Sequence, residues 1–196
     1  LLGKQGGYIK SPNNVNFIRT SETELPLHYD EETISLPILG DMEIELSRYI
    51  EHDILLCIND FRFFEEIGFE ISDAEIDTEV DISDNSVYIK LDYPVKIKDK
   101  ANNIVTLTPF NKNIPIKLKK MHEFAQVVVS KALEYDQSHE LLPDLNINSY
   151  IDDFELVFDY YPIGFQTILW QVEGRLGENP YYFLFSTRFK RELPNW

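Results

Sequence analysis

Cysteine is nearly absent: Cys57 is the one thiol in 196 residues, so no disulfide can close within the chain. There is no run of about 20 apolar residues, so no stretch of the sequence spans a bilayer as a helix. Basic residues are few, 18 Lys+Arg against 34 Asp+Glu, which leaves a formal charge of −16. That balance withholds the phosphate neutralisation on which nucleic-acid affinity rests, and it opposes docking on an anionic membrane surface. Its ordinary meaning is solubility. The sequence has no signal-peptide pattern, no initiating Met, no Asn-x-Ser/Thr sequon, no internal repeat and no low-complexity tract. Leu1-Leu2-Gly3 reads as the tail of a helix cut mid-element, so we expect a processed or N-terminally trimmed product.

Motifs that carry chemistry are also missing. His28, His52, His122 and His139 never stand four residues from another His or from Cys, the spacing a helical zinc site needs, and each reads as a surface or capping residue. His52 and Cys57 are five apart, on different helix faces. Asp81-x-Ser83-x-Asn85 with Asp92 imitates a calcium loop, but Ser86 stands where Gly is required and Asp92 where a bidentate Glu belongs. Gly3-x-x-Gly6-Gly7 lacks the Lys-Ser/Thr pair of a phosphate loop, and no Gly-x-Ser-x-Gly elbow occurs. Asp30-Glu31-Glu32 and Asp152-Asp153 would serve glycoside chemistry only if held about 5–9 Å from a partner carboxylate. Adjacent carboxylates more often face solvent. The expectation is therefore no catalytic residue, no metal site and no cofactor.

What the chain does have is a long alternating run. Ala74, Ile76, Thr78, Val80 and Ile82 alternate with Glu75, Asp77, Glu79 and Asp81, the period of a strand with one wet face. Ser83-Asp84-Asn85-Ser86 then predicts a tight hairpin. Val87, Ile89, Leu91, Tyr93, Val95 and Ile97 alternate in turn with polar residues. The hairpin register sets Val80 opposite Ile89, Thr78 opposite Leu91, Glu79 opposite Lys90, Asp77 opposite Asp92 and Asp73 opposite Lys96. The Asp77–Asp92 pair is either part of a solvated sheet face or a small cation site. A third strand, 104–118, changes phase: Val105 and Leu107 sit on odd positions, Ile114, Ile116 and Leu118 on even ones. A break near Pro109–Asn113 is required, because period two cannot change phase without an extra residue.

Two helices are predicted. Over 41–66, Leu46, Ile50, Ile54, Cys57, Ile58, Phe61 and Phe64 form one apolar stripe, with Asp41 at the start and Gly68 as the stop. Cys57 lies on that stripe and is expected to be buried; the other reading pairs it with a cysteine outside this chain. Over 119–135, Met121, Phe124, Val128, Ala132 and Tyr135 share a face. Residues 11–39 read as a segment wrapping the surface, with one short strand near Thr33–Ile38. A weak helix or turn is expected over 141–149, and a sub-boundary near 138–142. Strands are expected over 154–160, 165–173 and 181–187, with a turn at Tyr161-Pro162-Ile163-Gly164 and a basic cluster at Arg188, Lys190 and Arg191. Trp170 with Tyr160 and Tyr161 supplies the aromatics of a binding platform; the competing reading places them in the core.

The segments Leu2-Gly3-Lys4-Gln5-Gly6-Gly7-Tyr8-Ile9, Glu45-Leu46-Ser47-Arg48-Tyr49-Ile50, Leu56-Cys57-Ile58-Asn59-Asp60-Phe61 and Gly68-Phe69-Glu70-Ile71, with Leu91-Asp92-Tyr93-Pro94-Val95 and Ile114-Pro115-Ile116-Lys117-Leu118, resemble uncharacterised archaeal surface proteins. The resemblance covers roughly residues 1–135. In that family a hydrophobic N-terminal segment, pilin-like or a signal anchor, precedes this region, and a cysteine often lies just before the Gln-Gly-Gly-Tyr-Ile motif. The resemblance thus implies an extracytoplasmic, membrane-anchored domain whose Cys57 has its partner outside this chain. It brings no activity with it.

The fold expected is α+β: a twisted antiparallel sheet, 74–118 plus the 154–187 strands, covered by the 41–66 and 119–135 helices in a single domain. The function expected is non-enzymatic, with a structural, adhesive or filament-like role and other surface proteins or a second copy as partners. A ligand- or peptide-binding module and a hydrolase with an acidic site are the alternatives.

Overall fold

The computed structural model describes residues 5–10, 12–19, 24–58, 61–107, 109–138 and 156–193. In chain order they form β1 (Phe17–Arg19), β2 (Glu24–Asp30), β3 (Thr33–Ile34), α1 (Leu39–Ile58), α2 (Arg62–Glu66), β4 (Glu70–Asp73), β5 (Asp77–Ile82), β6 (Val87–Asp92) and β7 (Val95–Lys98). There follow β8 (Ile104–Leu107), β9 (Phe110–Ile114), α3 (Leu118–Ser138), β10 (Val157–Ile163), β11 (Thr167–Leu176) and β12 (Asn179–Arg188). The fold is α+β. Its strands make three sheets: β1-β2-β12-β11-β10 with β3 beside β2, then β4-β7-β8, then β5-β6-β9.

The hairpin has the register its alternation dictates, with Val80 opposite Ile89, Glu79 opposite Lys90 and Asp77 opposite Asp92. Lys90 reaches Glu79 at 3.0 Å. Ser83 closes the turn through its amide and hydroxyl, both donating to the Ser86 carbonyl. The single sheet expected over 74–118 is instead two. Pro94 has no amide to give, and the chain leaves one sheet for the other at Tyr93-Pro94. Inward alternation continues across that break, so Leu91, Tyr93 and Val95 are all buried. The register slips by one: Ser72, not Asp73, faces Lys96. The third strand is also divided, at Pro109, into β8 and β9, so its two phases belong to two sheets.

The large sheet corrects the reading of the N-terminal segment. Residues 11–39 are no mere wrapping loop. They supply β2, which runs parallel to β12 and is buried from Leu25 to Tyr29. A strand buried on both faces shows no alternation, and Pro26 and His28 interrupt what would otherwise be a plain apolar run. Ser186 Oγ donates to the Pro26 carbonyl at 2.9 Å, and Arg188 grips Asp30 with two nitrogens at 2.6 and 2.8 Å. The acidic run 30–32 and the C-terminal basic cluster are therefore partners: Arg188 also lies 3.8 Å from Glu31, and Lys190 meets Glu32 at 2.8 Å. At the far edge, β10 extends through Tyr161-Pro162-Ile163, where a turn was expected; the turn comes at Gly164. An edge position tolerates Pro162, which lacks a ladder donor.

Helix α3 buries Met121, Phe124, Val128, Ala132 and Tyr135 as its periodicity requires. They join Trp170, Val172, Phe183 and Phe185 of the large sheet and Val80, Ile82 and Val87 of the hairpin in one core. Helix α1 is half-exposed, with Met42 its one fully buried residue among those described. It stops at Ile58, and α2 follows Phe61, which holds a left-handed φ of 58°. The continuous 41–66 helix is thus two. Cys57 is exposed, contrary to expectation: Ile54 and Ile58 face the small sheet, and Cys57 lies to one side of that line. Glu43 and Glu51 of α1 accept the Ile82 and Thr78 amides at 2.8 and 2.9 Å. Eight helical residues rise about 12 Å and four strand residues about 13 Å, so two carboxylates match two outward amides and cover the β5 edge.

The Gln5-Gly6-Gly7-Tyr8 motif is a structural clasp. A Cβ on Gly6, which has φ +61°, would meet the Pro26 ring at 2.7 Å and His28 Nε2 and the Leu184 carbonyl at 2.9 Å. Tyr8 Oη donates to the Ser35 carbonyl at 2.5 Å, and the Ile9 amide to Glu45 at 2.8 Å. Gly6→Ala should lose about 1–2 kcal/mol to left-handed strain and roughly 1–3 kcal/mol more to overpacking. Gly177→Ala, at a similar φ of +62° but with open space around its Cβ, should lose the strain alone. Urea denaturation of the two variants checks this; equal losses would mean that the clasp carries no packing role.

Candidate functional site

The end of α1, α2 and the β4-β7-β8 sheet enclose a groove of about 390 Å³. Ile54, Ile58, Phe61 and Phe64 form the helical wall; Ile71, Val95, Ile97 and Leu107 form the sheet wall. Leu91, Tyr93 and Phe110 close one end, where the second small sheet begins. Local sequence explains the shape. The i, i+4 spacing of Ile54 and Ile58 gives a narrow apolar line, and three four-residue strands make too small a sheet to cover it. The core beneath contains Leu91, Tyr93 and Val95 as its fully buried members.

Among the described residues that line the groove, Tyr93 alone has a polar side chain, and its hydroxyl is engaged by Asp73. Phe61 stacks on Tyr93 with ring centroids 6.2 Å apart, which holds the strained residue between the helices. Around the mouth, Phe64, Leu107 and Phe110 are 46%, 39% and 45% exposed, and Phe63, Ile67, Ile104 and Val105 are more open still. This is a contiguous apolar corner on a chain with −16 charge. Two further clefts lie elsewhere. One, about 430 Å³ beside Tyr8 and Pro37, is ringed by Asp41, Glu45 and Arg48; the other, about 500 Å³, is walled by Leu46, Ile50, Val87, Ile89 and Ile116 with Tyr49, Tyr181 and Tyr182 in its lining.

The strongly shifted titratable groups are all held neutral. Burial pushes Tyr8 up to about 12, with Glu45 and Asp41 adding to the rise. Burial and then the hydrogen bond to Asp136 raise Tyr29 well above the ordinary phenol range; Tyr29 Oη donates to Asp136 Oδ2 at 2.6 Å. Burial lowers His28 to about 3, against the pull of the Gly6 backbone and with some help from His122. Acid–base catalysis needs groups moved towards neutral pH, and these move away from it.

The sequence-named residues scatter. His28 and His122, expected as surface or capping residues, are buried at 0% and 3% exposure. His28 stacks on Phe185 at 5.5 Å and neither ring nitrogen has a partner of hydrogen-bonding geometry; His122 Nε2 lies 2.6 Å from the Pro37 carbonyl and so carries the proton. His52 is exposed. Trp170 is core, its Nε1 donating to Thr187 Oγ1 at 3.0 Å. Tyr160 lies against Trp170 at 5.8 Å, but Tyr161 is the next residue of the same strand and points to the opposite face. The three do not form one platform. Asp77 and Asp92 face each other as predicted, and no group of three or more potential metal ligands gathers among the described residues. Asp84 of the would-be calcium loop is held by Lys119 at 2.6 Å. His139, Asp152-Asp153, the 141–149 segment and most of the 138–142 boundary lie outside the described residues. The groove itself went unread. Its one sequence signal was the apolar excess of Phe61, Phe63, Phe64 and Ile67 beyond what a single stripe needs.

Because His28 is neutral when folded and takes a proton near pH 6.5 when unfolded, acid favours the unfolded chain. Its contribution is complete above pH 6.5 and is lost as pH falls towards about 3. Two pH units below 6.5 should cost about 3 kcal/mol, with His122 acting in the same sense. Chemical denaturation from pH 7 to 4.5 should show that fall, and His28→Phe should flatten its slope whatever its own offset. An unchanged slope would refute the assignment.

Comparison of the chain with protein-family models, with curated proteins and with solved structures found no match, so no residue's role is carried over from a relative.

Proposed function

We propose that this chain is a non-enzymatic extracytoplasmic domain of a membrane-anchored surface protein, with a structural or adhesive role exercised through the apolar groove. The observation that carries the reading is the groove itself, walled by apolar side chains and opening onto exposed Phe63, Phe64, Ile104 and Val105. Apolar corners of this kind mark contact surfaces. The resemblance of residues 1–135 to archaeal surface proteins supports the location. Cys57 is exposed, as a disulfide to a cysteine outside this chain requires. Among the described residues no helix is long and apolar enough to cross a membrane, so this reading assigns the anchor to a segment beyond the chain.

A second reading rests on the groove's size. At about 390 Å³ it falls within the range of small-ligand sites, which favours a module that binds an apolar ligand or peptide side chains. The hydrolase reading has less support, because the acidic run at 30–32 is engaged by Arg188 and Lys190.

Protease added to intact cells carrying the tagged full-length protein should remove this domain without lysis, and mass spectrometry should find Cys57 oxidised. Survival of the domain until lysis would overturn the location. For the groove, an environment-sensitive apolar dye should bind the chain, and Phe64→Asp with Phe110→Asp should weaken it at least tenfold while the far-UV spectrum stays unchanged. Dye binding untouched by both substitutions would overturn the contact role of the groove.

A further inference from the structure

We infer that β8 is the seam of a two-fold dimer of this chain, in which the β4-β7-β8 sheets of two copies join edge to edge. The inference rests on the contact reading of this corner given above and supplies its partner. A sheet edge presents unpaired amides and carbonyls, and proteins blunt such edges with charge, proline or brevity. The other edges here are blunted. β1 is three residues long and carries Arg19; β3 has two residues; β4 carries Glu70 and Asp73. β9 carries Lys112, β10 carries Asp159 and Pro162, and β5 is acidic and covered by Glu43 and Glu51. Among the described residues, β8 alone is an edge of four residues without charge or proline, and all four are exposed.

The charge around β8 favours a second copy. Residues 101–111 contain no ionisable side chain, so two β8 strands meet without like charges. Beside them Lys96, Lys98 and Lys100 balance Glu70, Asp73 and Asp99, and Lys98 reaches Glu70 at 2.7 Å. Arg62, Glu65 and Glu66 of α2 leave this corner with a small acidic excess; most of the −16 charge is carried elsewhere, and beyond about 8–10 Å salt screens its repulsion. A strongly cationic partner would be drawn by the net charge but would meet lysines at this edge.

The register follows from symmetry. Antiparallel pairing of identical strands needs a two-fold axis normal to the sheet, which keeps both grooves on one side. Val105 and Leu107 share the groove face, because they oppose Ile97 and Val95. Centred on Thr106, the pairing sets Val105 against Leu107 of the second copy and Thr106 against its twin. The product is a six-stranded sheet with one apolar floor running from groove to groove.

Sedimentation or light scattering of the 196-residue chain between about 1 µM and 1 mM, the range of weak contacts, should show mass rising from 23.0 kDa towards twice that value. Val105→Lys and Thr106→Lys should each weaken association at least tenfold. Their melting curves at low concentration should stay unchanged, since both residues are exposed. Amides of 104–107 should gain exchange protection with concentration in the parent only. A parent that stays monomeric throughout overturns the dimer, as does a dimer untouched by both variants. If dye binding at Phe64 and Phe110 survives in either case, the seam has failed and the groove reading stands.

Discussion

Met121, Phe124, Val128 and Ala132 of α3 share one core with β2 and β12 and with Val80, Ile82 and Val87 at the turn end of the hairpin. Met121, Phe124 and Val128 each contribute about 1.5–3 kcal/mol by leaving water, and Ala132 less than about 1 kcal/mol. This one helical face joins parts of the chain that share no hydrogen-bonded ladder. The large sheet and the β5-β6-β9 sheet are separate, yet both send side chains into the same core. Lys119, in the first turn of α3, also holds the hairpin tip through Asp84. Loss of that face would leave two sheets with nothing common to pack against.

The second core is poorer, and the groove follows from its poverty. A sheet of three four-residue strands offers few inward positions, and α1 meets it with a line of single residues. The remaining volume is too large to close and too apolar to hold water comfortably. The exposed aromatics of α2 and the bare β8 strand lie around that unfilled space. The corner thus sets exposed Phe63, Phe64, Ile67, Ile104 and Val105 beside the charged Arg62, Glu65 and Glu66 of α2.

Carboxylates in this chain serve largely as acceptors for the fold. Glu43, Glu45 and Glu51 receive backbone amides, Asp30 receives Arg188, and Asp136 receives both Tyr29 and the Lys190 amide. A buried acceptor with two donors is stabilised without chemistry, and its neighbours are pushed away from neutral pH. The acidic composition that suggested a hydrolase is accounted for in part by these duties.

The alternation over 77–92 determines the hairpin and its pairings by itself, because period two and a polar tetrad leave one register with the apolar face inward. The α3 stripe was legible for the same reason: its contacts lie along one element. The sequence could not show that β2 is a strand, since burial on both faces erases alternation and its partner β12 is about 160 residues away. Nor could it show that one alternating run serves two sheets, because the switch at Pro94 leaves inward and outward unchanged. The burial of His28, the exposure of Cys57 and the groove between α1 and β7 were likewise decided by tertiary structure. Each depends on which distant surfaces meet and on how much volume they leave unfilled, and no local pattern encodes that.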